Sequence, residues 1–178
     1  MSYLRILFLL NNFEFDTQFY TQQVQKIKKK LDDHLRLRGD WQKWAFDNYY
    51  TALKLKKPAI LNGINSRKGV ISRRLPAEQY SLIQTYELTH LIFAAYNYGA
   101  SKTQDKFSAS DFAYIEKTLD FLSKKYRQKN NRDILSELVT SMVLIKSNTS
   151  EFKTATNYLL SKQNNDGTWG NYEKARKK

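Results

Sequence analysis

Two prolines, Pro58 and Pro76, and six glycines are all that punctuate 178 residues. Proline and glycine end helices and open turns, so a chain this poor in them favours long helices with short connections. The apolar residues recur at helical spacing: Phe19, Tyr20, Val24, Ile27, Leu31 and Leu35 form one stripe, and Ile134, Leu135, Leu138, Val139, Met142 and Val143 form another. Strand-like alternation is nearly absent. About seven helices are expected, packed as α-hairpins in an all-α fold. They span residues 1–10, 17–37 behind an Asp16 cap, 41–55, 76–99, 109–126 behind Ser108 or Ser110, 133–146 behind Asn131, and 151–163 behind Ser150. Residues 56–75 are expected as a loop with a helical turn at 59–64, and 100–107 as a polar linker. This length suits one domain with a sizeable core. Residues 1–178 are therefore read as a single all-α domain with a flexible basic tail at 171–178.

The absence of cysteine excludes disulfides, zinc-thiolate sites and a cysteine nucleophile. It suits a reducing compartment, and a cytoplasmic location is expected. The apolar start, Met1 to Leu10, lacks a small-residue cleavage site, and Asn11-Asn12 interrupts it, so it reads as a packed helix rather than a signal segment. No run approaches the roughly 20 apolar residues of a membrane span. The net charge of +13 comes from short groups: Lys28-Lys29-Lys30, Lys56-Lys57, Arg67-Lys68, Arg73-Arg74, Lys124-Lys125 and the tail after Lys174. None lies in a helix-turn-helix, finger or aromatic RNA-binding signature. Nucleic-acid binding therefore rests on charge alone, and lysines on solvated helix faces explain the same residues.

The stretch Tyr158-Leu-Leu-Ser-Lys-Gln163-Asn-Asn-Asp166-Gly167-Thr-Trp169-Gly170 is a helix end followed by a polar turn and a tryptophan. Gly167 can take φ > 0 to stop the helix, Gln163 can bond to free backbone groups there, and an indole can stack over its amide. These residues resemble the Gln-Trp repeat of the α/α-toroid superfamily, which includes terpene cyclases, prenyltransferase β-subunits and complement-type thioester domains. The resemblance implies that the last two helices form one toroid hairpin, with the Ile134–Val143 stripe facing inward and Phe152, Ala155 and Leu159 outside. Only one such unit is well formed, and seven helices do not close a ring. The chain then reads as a partial toroid, a compact bundle of hairpins, or a half completed by a partner chain or in a homodimer.

A second set, Tyr86-Glu-Leu88-Thr89-His90…Phe93…Gly99 with Gly39-Asp-Trp41-Gln42…Phe46…Tyr49-Tyr50, is similar to uncharacterised bacterial all-α proteins that end in the same kind of turn. That resemblance implies a bacterial protein and carries no activity. Leu91 stands where an acidic residue often follows the histidine in those proteins.

Histidine is scarce, so His90 draws attention. Glu87 lies one turn before it, and Asp133 and Glu137 share a face of a later helix. His90, Glu87 and Glu137 are the acid–base candidates. The alternative is a histidine hydrogen-bonded to a carboxylate for structural reasons. Carboxylate-bridged metal sites repeat Glu-x-x-His on two helices. Only one copy occurs here, and Asp133 and Glu137 could supply the missing oxygens if the two helices meet, so metal binding at His90 is the minority reading and the cofactor is unknown. His34, beside Asp32-Asp33, reads as surface charge. Trp41, Tyr50 and Tyr86, with Asp133, are the binding candidates: the aromatic set suits a pocket for a hydrophobic or ring-bearing ligand, or else core. No Asp-rich cyclase motif, phosphate loop or nucleophile elbow occurs. The leading expectation is a helical module that binds a small molecule or a partner protein. The alternative is a small bacterial tailoring enzyme centred on His90 and Glu87.

Overall fold

A computed structural model describes residues 2–64, 69–100, 106–165 and 167. Among these the fold is all-α, with eight α-helices and no strand: α1 (Ser2–Asn12), α2 (Gln18–Leu35), α3 (Asp40–Ala52), α4 (Gly69–Ser72), α5 (Leu82–Ala95), α6 (Ala109–Gln128), α7 (Arg132–Leu144) and α8 (Ser150–Ser161).

From α3 onward successive helices alternate between two rows, with α1 added to the first row and α2 packed on α1. In the first, α1 packs on α3, α3 on α5 and α5 on α7; in the second, α4 packs on α6 and α6 on α8. The core fills the space between them. Leu88, Leu91, Ile92 and Ala95 of α5 meet Ile115, Leu119 and Leu122 of α6 and Ile134, Leu138 and Met142 of α7. Leu135 of α7 turns to Ala155 and Leu159 of α8 as a smaller cluster. At the other end Phe8 of α1 lies 5.0 Å from the Tyr49 ring of α3.

Helix boundaries follow their caps. Ser81 starts α5: its Oγ accepts from the Gln84 N–H at 3.2 Å, and the Gln84 Oε1 accepts from the Ser81 N–H at 2.9 Å. Sequence reasoning started this helix at Pro76. Pro76 is extended (ψ 140) and opens only a 3-10 turn, Ala77–Gln79, because the reciprocal cap of Ser81 fixes the start further on. Ser108 caps α6, Asn131 caps α7, and Thr149 rather than Ser150 caps α8. The expected loop at 56–75 also holds α4, and its end is pinned to α6. Arg74 reaches Asp111 at 2.5 Å, and the Tyr114 hydroxyl donates to the Leu75 carbonyl at 2.8 Å.

At the Gln-Trp turn, Gly167 has φ 82, and the Gln163 side-chain amide donates to its carbonyl at 2.7 Å. The glutamine thus ties the turn that follows α8. Asp166, Trp169 and the tail at 171–178 lie outside the described residues.

Candidate functional site

The last turns of α5 do not run on to Gly99 as expected. The helix stops at Ala95, and Asn97, Tyr98 and Gly99 then take φ 51, 53 and 93 in succession. For asparagine and glycine this left-handed backbone is cheap. For tyrosine it costs on the order of 1 kcal/mol. It folds Tyr98 back beside Phe93, with ring centroids 6.5 Å apart.

Tyr98 there joins the wall of a cavity of about 440 Å3, lined by Arg5, Trp41, His90, Phe93, Tyr98, Glu137, Thr140 and Leu144. Apart from Tyr98, every lining residue belongs to an odd-numbered helix: α1, α3, α5 or α7. The side chains of α5 and α7 that bury against α6 and α8 lie on their other faces.

Three features organise the wall. Trp41, in the first turn of α3, packs on His90 with ring centroids 4.6 Å apart and planes inclined by 40°. Gln42 fixes the entry to that helix by accepting from the Gly39 N–H at 3.2 Å. His90 also faces Phe93 (5.9 Å) and Tyr86 (6.1 Å), so one imidazole sits among three aromatic rings. Its Nε2 stands 3.5 Å from Oε1 of Glu137 on α7, and the Thr89 hydroxyl donates to Oε2 at 2.6 Å. Burial alone would raise the Glu137 carboxyl. The His90 and Thr89 hydrogen bonds outweigh it and hold the group below the usual glutamate range. Third, the Arg5 guanidinium lies 5.4 Å from the Tyr98 ring centroid, a cation–π distance, and has no carboxylate partner among the described residues.

Tyr86 and Asp133 form a second link between α5 and α7 beside this wall, the Tyr86 hydroxyl donating to Asp133 Oδ2. That bond, with burial behind it, pushes the phenol up to about 12.

The structure brings together His90, Glu137 and Trp41 in the cavity, with Tyr86 and Asp133 alongside. It does not bring in Glu87 or Tyr50. Glu87 is on the same helix as His90 but turns toward α4, where its Oε1 lies 3.6 Å from Arg73 Nη2. Tyr50 is fully buried and donates to Asp32 Oδ1 at 2.7 Å, tying α3 to α2. Its burial, helped by that bond, raises the phenol well above the ordinary range. Sequence reasoning missed Arg5, Thr140 and Leu144 as cavity residues, and missed the carboxylate role of Thr89. Tyr86, Thr89 and Phe93 fall at i, i+3 and i+7 on the α5 face toward Glu137, a signal that was legible. Arg5, the only charge in α1, had no sequence link to the rest. No group of three or more metal-ligating side chains occurs among the described residues.

An all-α domain with an aromatic cavity across one row of helices is what fold and site define. The chain belongs to the family described as Domain of unknown function (DUF6895), whose model matches residues 44–177. The match opens at Trp44, so α1, α2 and the first turn of α3, with Arg5 and Trp41, precede it. No curated protein and no solved structure matches the chain.

Proposed function

We propose that this chain is a toroid-like helical module that binds a small, flat, ring-bearing molecule between Trp41, Phe93 and Tyr98. The observation that carries this reading is the cavity itself: about 440 Å3, walled by aromatic rings and bordered by a guanidinium and a carboxylate. That volume falls in the range of roughly 300–1,000 Å3 typical of small-molecule sites, and aromatic walls with few polar groups are their usual lining. Stacking supplies affinity for a planar ring, while Arg5 and the His90–Glu137 pair set its orientation. The alternation of two helix rows, with the cavity on the α1, α3, α5 and α7 side, is the arrangement a partial α/α toroid would have, and the Gln163–Gly167 turn supports that reading.

The tailoring-enzyme reading is weaker on this geometry, because Glu87 is engaged by Arg73 and leaves His90 one carboxylate partner. The basic surface is also partly committed within the fold: Lys28, Lys57 and Arg74 pair with Asp32, Asp47 and Asp111. The test is titration of the protein with indole, followed by ligand-observed NMR. Saturable binding that Thr140→Trp abolishes, by filling the cavity, is the expected result. Binding that survives this substitution places the ligand elsewhere and overturns the reading.

A further inference from the structure

The first helix is apolar on two sides, and only one of them is covered. Leu4, Leu7 and Phe8 bury against the rest of the protein, whereas Tyr3, Ile6, Leu9 and Phe13 face outward. Ile6 is 54% exposed and Phe13 72%. Arg5 is the only charged residue in the helix. A helix that is apolar all round is ordinarily buried in a core or in lipid. The excess is local: of the fourteen large hydrophobic side chains exposed among the described residues, nine fall before residue 44, ahead of the family match. Phe15, Phe19 and Tyr20 carry the aromatic character through the turn into α2.

The charges of α2, which packs on α1, choose among the partners of this face. On α2, Lys26 and Lys30 are exposed, as is Arg36 just after it, and none has a carboxylate partner among the described residues. The acids of the hairpin are fewer: Asp32 and Asp33 are taken by Lys28 and Lys29, which leaves Glu14 and Asp16 at the turn. A second copy of a chain of charge +13 would bring like charges together at the same face. A surface that is apolar at depth and negative at its edge complements it. No helix among the described residues is long and apolar enough to cross a membrane. The mode is therefore peripheral, with α1, about 16 Å long, lying in the plane of the headgroups.

We propose that the outward face of α1, with the lysines of α2, is a docking surface for an anionic lipid bilayer. This stands apart from the cavity and does not depend on a ligand there. Aromatic and aliphatic side chains enter the interface, and the cations hold it against the negative headgroups.

The experiment is sedimentation of the full chain with vesicles of phosphatidylcholine alone and of phosphatidylcholine mixed with phosphatidylglycerol. Binding to the anionic vesicles is expected, about tenfold weaker to the neutral ones and weakening with added salt. The double variant Ile6→Ser/Phe13→Ser should lose about tenfold in partitioning while keeping its helical circular dichroism. Should the pair disturb α1, Phe13→Ser alone, just past the helix end, tests the same face. Lys26→Gln/Lys30→Gln should weaken anionic binding only. Equal binding to both vesicle types, or undiminished binding by the Ser variants, overturns the proposal. So does a dimer in analytical ultracentrifugation that the Ser variants turn into monomer, since a second copy would then cover this face.

Discussion

His90 on α5 and Glu137 on α7 meet at 3.5 Å across the cavity wall, with Thr89 holding the carboxylate's second oxygen. Neighbouring helices of one row are thereby joined through a pair that also faces the ligand space. One contact serves both packing and site.

That pair gives an acid-stability signature. The Glu137 carboxyl is held below its ordinary value of 4.5, so the folded state favours the charged form. The stability this contributes is complete above that value and is lost as pH falls through the lower folded value. In melting curves recorded across this window, Glu137→Gln should show a shallower acid decline than the parent. Superimposable curves would mean that the pairing contributes nothing to folding.

Trp41→Ala removes the ring that covers His90. Because Trp41 is only half-buried, the melting temperature should change little, while affinity for a planar ligand such as indole falls by about tenfold or more. A titration that leaves the dissociation constant within twofold of the parent would remove Trp41 from the site.

Gly69 opens α4 with φ 48, and a Cβ there would lie 2.9 Å from Leu91 Cδ1. Leu91 is fully buried in the core and cannot yield freely. Backbone strain and overpacking together should make Gly69→Ala less stable by about 1–3 kcal/mol in urea unfolding. Were it as stable as the parent, α4 would have to move away from α5.

Arg127 of α6 grips Glu151 at the start of α8 through two hydrogen bonds, both 2.9 Å. Glu151 is buried, and its charge also favours the N-terminus of its helix. Arg127→Met strands that carboxylate and should cost about 1–3 kcal/mol. The double variant Arg127→Met/Glu151→Leu should recover part of the loss. A double-mutant cycle by chemical denaturation measures the coupling, and strict additivity would contradict it.

The helices were legible where one residue pattern dominated. The stripe of α7 apart from Val143, which is exposed, the Ser108 cap of α6 and the left-handed Gly167 were readable, because each depends on neighbours in sequence. The start of α5 was misplaced because Pro76 is a strong local signal, while the Ser81–Gln84 cap five residues later is stronger still. Its end was misplaced because a tyrosine in left-handed backbone has no sequence signature. In the site, His90 and Glu137 were found by chemistry. Glu87 was misjudged because i,i+3 spacing leaves residues about 60° apart around the axis, enough for one to face α4 and the other α7. Arg5 arrives through tertiary packing alone.

The cavity wall draws on residues as far apart as Arg5 and Leu144. During synthesis, therefore, α1 can pack on α3 early, but the wall is complete only once α7 has left the ribosome. Chains that stop short of Leu144 lack part of the wall, and a molecule that binds there stabilises only chains that extend through α7.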